Sequence, residues 1–561
     1  MINASPSLGT ISHWIKKQAE SRPKISITLV TLAASLWLLL LDNWSFWKAL
    51  FRIVTEPNST WVLASLLLTL ILLFNMVLSV LCHRGTTKTI LTFLFIATSV
   101  AAYFMNQYGT MIDKGMMRNV FATNPAEIRE LLSLKLLFYI LSFGILPSAL
   151  TIWIRIDYHG LWGGILRKLV WLAGSGLVAA GIIVLFYQDY ASIFRNHREI
   201  RFLLTPTNYL TASYGLLKTR YGQPTEIQVI GADARLKTPH SIDGKKALTI
   251  IAVGETARAE NFSLGGYTRQ TNPLMAREDI IYYPNTESCG TDTAVSIPCM
   301  FSDLGQDGYS ESKAAQQQNL LDVLKRAGIA VLWRDNNSGC KGVCDRVPYL
   351  DVSTLHNPKL CRPNECYDEI LLENLQQYLD KLDRDAVIVL HLKGSHGPAY
   401  YLRYPDRFGV FQPVCKTNLL EKCSREEIIN AYDNTLLYTD YVLDRIIALL
   451  KQNAERFDAS LIYMSDHGES LGENNLYLHG IPRMIAPDEQ THIPMIIWLS
   501  KGALQRNGID MKCLEAHRND AYSHDNLFHS VLGVMDVQTK IYRPGLDIFH
   551  ACEPSGGVAA N

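Results

Sequence analysis

Over the first two hundred residues the apolar positions come in long unbroken runs; beyond them they come in short ones. Five runs stand out: Ile25–Leu41, Trp61–Leu81, Ile90–Met105, Leu134–Ile154 and Leu169–Tyr187. Each is close to the ~20 residues a helix needs to cross the hydrocarbon core of a bilayer. Five in succession do not read as the core helices of a soluble domain. The first is too long, and lies too deep in the chain, for a cleaved leader. The pattern predicts a five-helix transmembrane bundle over residues 1–190. Lys16, Lys17, Arg22, Lys24, Arg84, Lys88, Arg155, Arg167 and Lys168 fall on the side that the positive-inside rule places in the cytoplasm. The opposite loops carry Lys48, Arg52, Lys114 and Arg118, so the bias is moderate. An odd number of crossings puts everything after Tyr187 outside the cytoplasm. Residues 191–238 are mixed and polar, and read as a connector near the membrane surface.

From Lys245 the period changes, and residues 239–561 read as a second domain. Ala247–Val253 is a short apolar run stopped by Gly254, as expected of a strand buried on both faces. Ser312–Gly328 has the spacing of an amphipathic helix ending at glycine. Strands are expected at Ile329–Trp333, Ala386–Leu392, Ser460–Met464 and Pro494–Leu499, with helices at Tyr367–Asp383 and Glu426–Lys451. Strand alternating with helix is the mark of an α/β domain with a mainly parallel sheet. The tail, Glu553 to Asn561, reads as frayed.

Composition sharpens this picture in two ways. The 53 basic and 53 acidic residues give no net charge, which argues against a nucleic-acid partner. Of eleven cysteines, ten lie after residue 288, on the side expected to face an oxidising compartment. Their order suggests the disulfides Cys289–Cys299, Cys340–Cys344, Cys361–Cys366, Cys415–Cys423 and Cys513–Cys552, although order alone does not prove connectivity. A zinc–thiolate site is the rival, but no pair has finger spacing.

The residues just past each strand carry the chemistry. Glu255 comes after the first, Ser338 and Lys341 after the second, His396 after the third, and Asp466 with His467 after the fourth. In open α/β sheets ligands bind beyond the carboxyl ends of strands. Two carboxylates and an imidazole are suitable zinc ligands and leave a fourth position open. The segment E-S-C-G-T-D-T-A-V-S-I-P-C offers two hydroxyls for it, Thr291 and Thr293, between cysteines that would fix the turn. A threonine hydroxyl is a poor nucleophile at neutral pH, and a divalent cation makes its deprotonated form accessible. The residues after Thr293 can start a helix, whose N-terminus suits a phosphate. Lys341 supplies fixed positive charge. His396 and His479 could bind phosphate or protonate a leaving oxygen, and His492 is a candidate for a supporting role.

These residues sit in five stretches: G-E-T-A-R-A-E-N-F-S-L-G-G-Y, C-G-T-D-T-A-V-S-I-P-C-M-F-S, W-R-D-N-N-S, K-G-S-H-G-P-A-Y-Y and S-D-H-G-E-S-L-G-E-N-N-L-Y-L-H-G. Together they resemble the lipid A phosphoethanolamine transferases, which include chromosomal polymyxin-resistance and mobile colistin-resistance enzymes. The resemblance covers nearly the whole chain. It implies an alkaline-phosphatase/sulfatase-like periplasmic domain on a multi-pass bacterial inner-membrane anchor, acting as a monomer. It implies zinc ligands Glu255, Thr293, Asp466 and His467, and selects Thr293 over Thr291 as the acceptor of the headgroup. It implies substrate contacts at Ser338, Lys341, His396 and His479. In the loop between the third and fourth membrane helices, it adds Asn119, Thr123 and Glu127. The implied reaction moves phosphoethanolamine from phosphatidylethanolamine to lipid A through a phosphothreonine. Relatives modify either lipid A phosphate, Kdo or core heptose, so the acceptor position stays open. A phosphoglycerol transferase, sulfatase or phosphodiesterase on the same fold is the alternative; C-G-T-D-T lacks the proline and arginine of a sulfatase core. A catalytically dead receptor fold would not need the intact ligand set.

Overall fold

A computed structural model describes residues 22–54, 59–123, 125–158, 161–221, 227–237, 244–362 and 365–553. The expected frayed tail therefore lies, but for Glu553, outside the described residues. The chain forms two compact units: Met1–Asp113 with Leu132–Ala212, and Lys114–Leu131 with Ser213–Asn561.

The first unit is helical. Thr60–Leu81, Thr87–Tyr108, Leu134–Trp153 and Gly163–Leu185 are each long and apolar enough to cross a membrane. The first apolar run is shorter than expected as a helix: Ile27–Leu41 is followed by Trp44–Ile53 at a bend of 61°, and only as a pair do they make a fifth span. Asn43 sits at the bend. Its amide donates to the carbonyls of Leu38 (2.8 Å) and Thr205 (2.9 Å), and its Oδ1 accepts from the Thr205 N–H (2.8 Å). Helix ends leave backbone groups without partners, and this side chain supplies them. Polar groups inside the unit pair with each other: Asn75 donates to Thr31 (3.0 Å) and accepts from the Trp171 indole (2.6 Å), as apolar surroundings require. Gly144 lets Leu134–Trp153 approach its neighbour closely, since a Cβ there would lie 2.8 Å from Ser99 Oγ.

The second unit is built on an eight-stranded sheet. We number its strands β1 (Lys246–Gly254), β2 (Ile280–Glu287), β3 (Ala330–Asp335), β4 (Tyr349–Asp351), β5 (Ala386–His391), β6 (Phe457–Ser465), β7 (His492–Leu499) and β8 (Tyr522–Ser523). Their order is β8-β2-β7-β6-β1-β5-β3-β4, and β7 alone runs antiparallel to both of its neighbours, the other pairings being parallel. The sheet is mainly parallel, as expected. The central strands are apolar on both faces because both are covered. Ile251, Val253, Val389 and Met464 belong to one core. Leu248, Ile250, Ala252 and Ile388 belong to the other. Each of the larger side chains contributes about 1.5–3 kcal/mol on burial. A helix at Arg425–Gln452, started by a Ser424–Glu427 capping box, covers the second face with Ile428, Leu436, Leu443 and Ile447.

Three expectations are corrected. Strand β2 is absent from the strands the pattern predicts; Pro284 and the polar N-T-E after it disguise it, and the ladder is irregular opposite them, between Ile493 and Met495. The helix expected over Ser312–Gly328 is two helices, Glu311–Ala315 and Leu320–Arg326, because Asn319 caps the second in a box with Asp322. The helix expected over Tyr367–Asp383 is a 3-10 turn (Asp368–Leu372) and a short helix (Leu375–Leu379), broken where Asn374 takes φ +59°. All five expected disulfides form, and Cys82 is the free, buried cysteine among the described residues.

Candidate active site and metal centre

Adjacent parallel strands β1 and β6 end together, with Gly254 opposite Ser465. This register puts Glu255 beside Asp466 and His467. All three side chains are fully buried. His467 Nε2 lies 3.4 Å from Glu255 Oε1 and 3.4 Å from Asp466 Oδ2. The His467 Nδ1–H donates to the Gly468 carbonyl (2.8 Å), which turns Nε2 toward the carboxylates. Asp466 Oδ1 accepts from the N–H of Thr256 (3.1 Å) and of His467 (2.7 Å). The turn after Glu255 is strained: Thr256, a β-branched residue, has φ +53°.

Thr293 opens the helix Thr293–Met300, capped by Asp292, whose Oδ1 accepts from the Val295 N–H (3.1 Å). The Cys289–Cys299 disulfide closes this turn. The Thr293 hydroxyl lies 3.2 Å from both carboxylate oxygens of Glu255. Thr291 points elsewhere, its buried hydroxyl donating to the Ile481 carbonyl (2.6 Å).

One ligating atom each from Glu255, Asp466 and His467 lies within 4.8 Å of the others. Asp466 Oδ2 and His467 Nε2 are buried with no hydrogen-bond partner among the described residues. The electrostatics are those of a site that favours added positive charge. Burial, with Glu255 alongside, pushes the Asp466 carboxyl up to about 7. Burial would lower His467, but Asp466 and Glu255 outweigh it and raise the imidazole to about 10. Burial would raise Glu255, but the His467 imidazolium holds it well below the usual carboxylate range. Two carboxylates and one imidazole with unsatisfied inward atoms fit a divalent cation.

His396 and His479 complete a second group of possible ligating atoms with Glu255. Their rings are 5.6 Å apart, and His479 is 4.4 Å from the His467 ring. Burial, then Lys393, holds His396 neutral, well below the ordinary histidine value. Lys341, in the left-handed region at φ +51°, folds its ammonium back to Ser338, donating to the carbonyl (2.9 Å) and hydroxyl (2.7 Å). Thr123 back-bonds to the Asn119 carbonyl (2.7 Å); Glu127 falls in the helix Pro125–Leu131, its side chain outside the described residues. His492 is placed elsewhere. It bridges Glu260 (3.0 Å) and the Pro284 carbonyl (2.5 Å) at the β2–β7 edge.

Sequence reasoning passes over two residues that hold this site. Asn337 donates to Glu255 Oε2 (2.5 Å) and to the Leu392 carbonyl (3.0 Å). Glu469 takes His479 Nδ1 (2.7 Å) and the Tyr400 hydroxyl (2.6 Å). Both lie one or two residues from recognised positions, in W-R-D-N-N-S and S-D-H-G-E-S, and that adjacency is the available signal.

Comparison with known proteins agrees with the geometry. Residues 247–537 match the Sulfatase family, and residues 70–221 match the family described as Phosphoethanolamine transferase EptA/EptB. The chain is 41% identical to phosphoethanolamine transferase EptA of Escherichia coli K12, over 96% of this chain and 99% of that one. It is 36% identical to phosphatidylethanolamine transferase Mcr-1 of Escherichia coli, over 94% and 97%. The solved integral membrane protein lipooligosaccharide phosphoethanolamine transferase A of Neisseria meningitidis superimposes with a TM-score of 0.91 at 38% identity, covering 95% of this chain and 99% of that one. With this similarity running almost end to end, the chain belongs to the EptA and Mcr family of phosphoethanolamine transferases.

Proposed function

We propose that this protein transfers phosphoethanolamine from phosphatidylethanolamine to lipid A in two steps, through a covalent phosphothreonine at Thr293, on the periplasmic side of a bacterial inner membrane. The observation that carries the reading is the Thr293 hydroxyl, 3.2 Å from both oxygens of a buried carboxylate that shares its space with Asp466 and His467. Glu255, Asp466, His467 and Thr293 would hold a zinc ion. When bound, zinc supplies Lewis acidity that makes the threonine oxygen nucleophilic and offsets charge on the transferring phosphoryl group.

The residues of the chain do the rest. In the first step the Thr293 hydroxyl gives up its proton to solvent, Oγ forms a bond to the donor phosphorus, and the bond from phosphorus to the glycerol oxygen breaks. His479, held at Nδ1 by Glu469, presents Nε2–H as the proton source for that oxygen, and diacylglycerol leaves. In the second step a phosphate oxygen of lipid A attacks the same phosphorus and releases Thr293. Lys341 and neutral His396 are the binders of phosphate oxygens in both steps. Ser338 orients Lys341, and Asn119, Thr123 and Glu127 are assigned to the donor headgroup. The modified lipid A carries an added ammonium, which lowers the negative charge of the cell surface and weakens binding of polymyxin and other cationic peptides.

The test compares lipid A from cells carrying the wild type and Thr293→Ala by mass spectrometry, with the purified proteins assayed for metal. The expected outcome is a phosphoethanolamine mass shift lost in Thr293→Ala, with zinc still bound. A variant that retains full turnover ends the covalent reading.

A further inference from the structure

The segment between the candidate spans Thr87–Tyr108 and Leu134–Trp153 is covalently part of the membrane half, yet Lys114–Leu131 folds as part of the catalytic unit. It holds two helices, α1 (Lys114–Ala122) and α2 (Pro125–Leu131). Each stretch of it reaches a different piece of the site. The Arg118 guanidinium donates to Asp292 Oδ1 (3.1 Å) and pairs with Glu311 (2.9 Å). Asp292 is the cap of the helix that Thr293 begins, and the same Oδ1 accepts from the Val295 N–H. Met116 lies against Gly480, the residue after His479; a Cβ on that glycine would stand 3.3 Å from Met116 Cε. Glu130 pairs with Arg403 (2.6 Å), whose side chain is wholly buried and whose Nε–H donates to the His396 carbonyl (2.7 Å).

We propose that this segment is a template for the active site, and that Arg118 is its principal positioning residue: through Asp292 it fixes the capped turn that aims the Thr293 hydroxyl. The inference rests on the reading of Thr293 as the nucleophile. Its physical basis is that an N-cap side chain otherwise free to rotate is held from two sides. The Val295 N–H pulls it toward the helix and the guanidinium pins it from outside, both on one oxygen. Arg118 and Asp292 are mostly buried, with side chains 19% and 9% exposed, so the pair is little screened. A hydroxyl displaced by a fraction of an ångström loses much of its orientation advantage. Arg118 touches no reacting atom; it acts through the cap.

The experiment uses full-length protein in detergent micelles with phosphatidylethanolamine as donor. Arg118→Gln, Asp292→Asn and the double variant are compared with wild type. Asparagine caps a helix as well as aspartate, so Asp292→Asn removes the ion pair and keeps the cap. Rapid quench followed by mass spectrometry reads formation of the modified Thr293 peptide. The expected result is a loss of about tenfold in that rate for each single variant and no further loss in the double. KM for the donor, metal content and thermal midpoint stay close to wild type, and Arg118→Lys recovers part of the rate. An Arg118→Gln rate equal to wild type, or losses that multiply in the double variant, overturns the proposal. If Arg118→Gln does not fold, a wild-type rate in Asp292→Asn overturns it equally. Thr293→Ala, run alongside, separates the two readings. No modified peptide with retained turnover sinks the nucleophile; an inactive Thr293→Ala beside an undisturbed Arg118→Gln sinks only the template.

Discussion

His524 shows how a single residue outside the proposed reacting group ties the Thr293 loop to the turn that carries Asp466 and His467. Its Nδ1 accepts from the Cys289 N–H (3.1 Å), and its Nε2–H donates to the Ser465 carbonyl (2.9 Å), one residue before Asp466. That pattern is possible only for the neutral ring. Burial is the main cause of a pKa lowered to about 4. Because the folded value is depressed, the unfolded chain binds more protons between about pH 6.5 and 4. The stability His524 contributes is therefore complete above pH 6.5 and is lost as pH falls toward 4, to a limit of about 3 kcal/mol. Thermal midpoints measured from pH 7.5 to 4.5 are expected to fall more steeply for wild type than for His524→Asn. Parallel curves would show that the ring does not titrate in this way.

At the scale of elements, strand ends are brought together by turns with no room to spare. Gly394, just past β5, takes φ +52°, and a Cβ there would lie 2.6 Å from the Glu255 carbonyl oxygen and 3.0 Å from its nitrogen. The β1 and β5 turns thus touch backbone to backbone behind Glu255. Gly394→Ala is expected to cost about 3 kcal/mol and to displace Glu255. Zinc titration of the purified variant should show at least about tenfold weaker binding. Unchanged zinc affinity would mean that the turn absorbs the methyl group without moving the carboxylate. The strand-end positions are legible because buried parallel strands are written as continuous apolar runs, and Glu255, His396, Asp466 and His467 come within four residues after such runs. Strand β2 is not, because its alternation is broken by Pro284. The two interrupted helices are not either. Their apolar spacing continues through Asn319 and Asn374, and only capping and a left-handed backbone show the break.

For the molecule as a whole, the proposed cation at the buried cluster would tie stability to metal binding. Burial and Glu255 raise the Asp466 carboxyl, and its Oδ2 and His467 Nε2 have no hydrogen-bond partner among the described residues. A ligand bound only by the folded state adds about 4 kcal/mol when present at a thousand times its dissociation constant. Exhaustive chelation is expected to lower the thermal midpoint by several degrees and abolish transfer, and stoichiometric zinc should restore both. A midpoint and a transfer rate indifferent to chelation would remove the metal from the mechanism.

The sequence by itself determined the two-part plan, the mainly parallel sheet and most of the polar residues at its rim, and it suggested the disulfide set that forms. Those depend on local periodicity, on cysteine order and on which residues come after each strand, all of which are written along one dimension. The tertiary structure decided which hydroxyl faces the carboxylates, since Thr291 and Thr293 differ only in where the capped turn points them. It also decided that Asn337, Glu469, Arg118 and Arg403 serve the site. Their partners lie from 10 to 273 residues away in the chain, and a hydrogen bond between distant segments leaves no period or spacing in the sequence to be read.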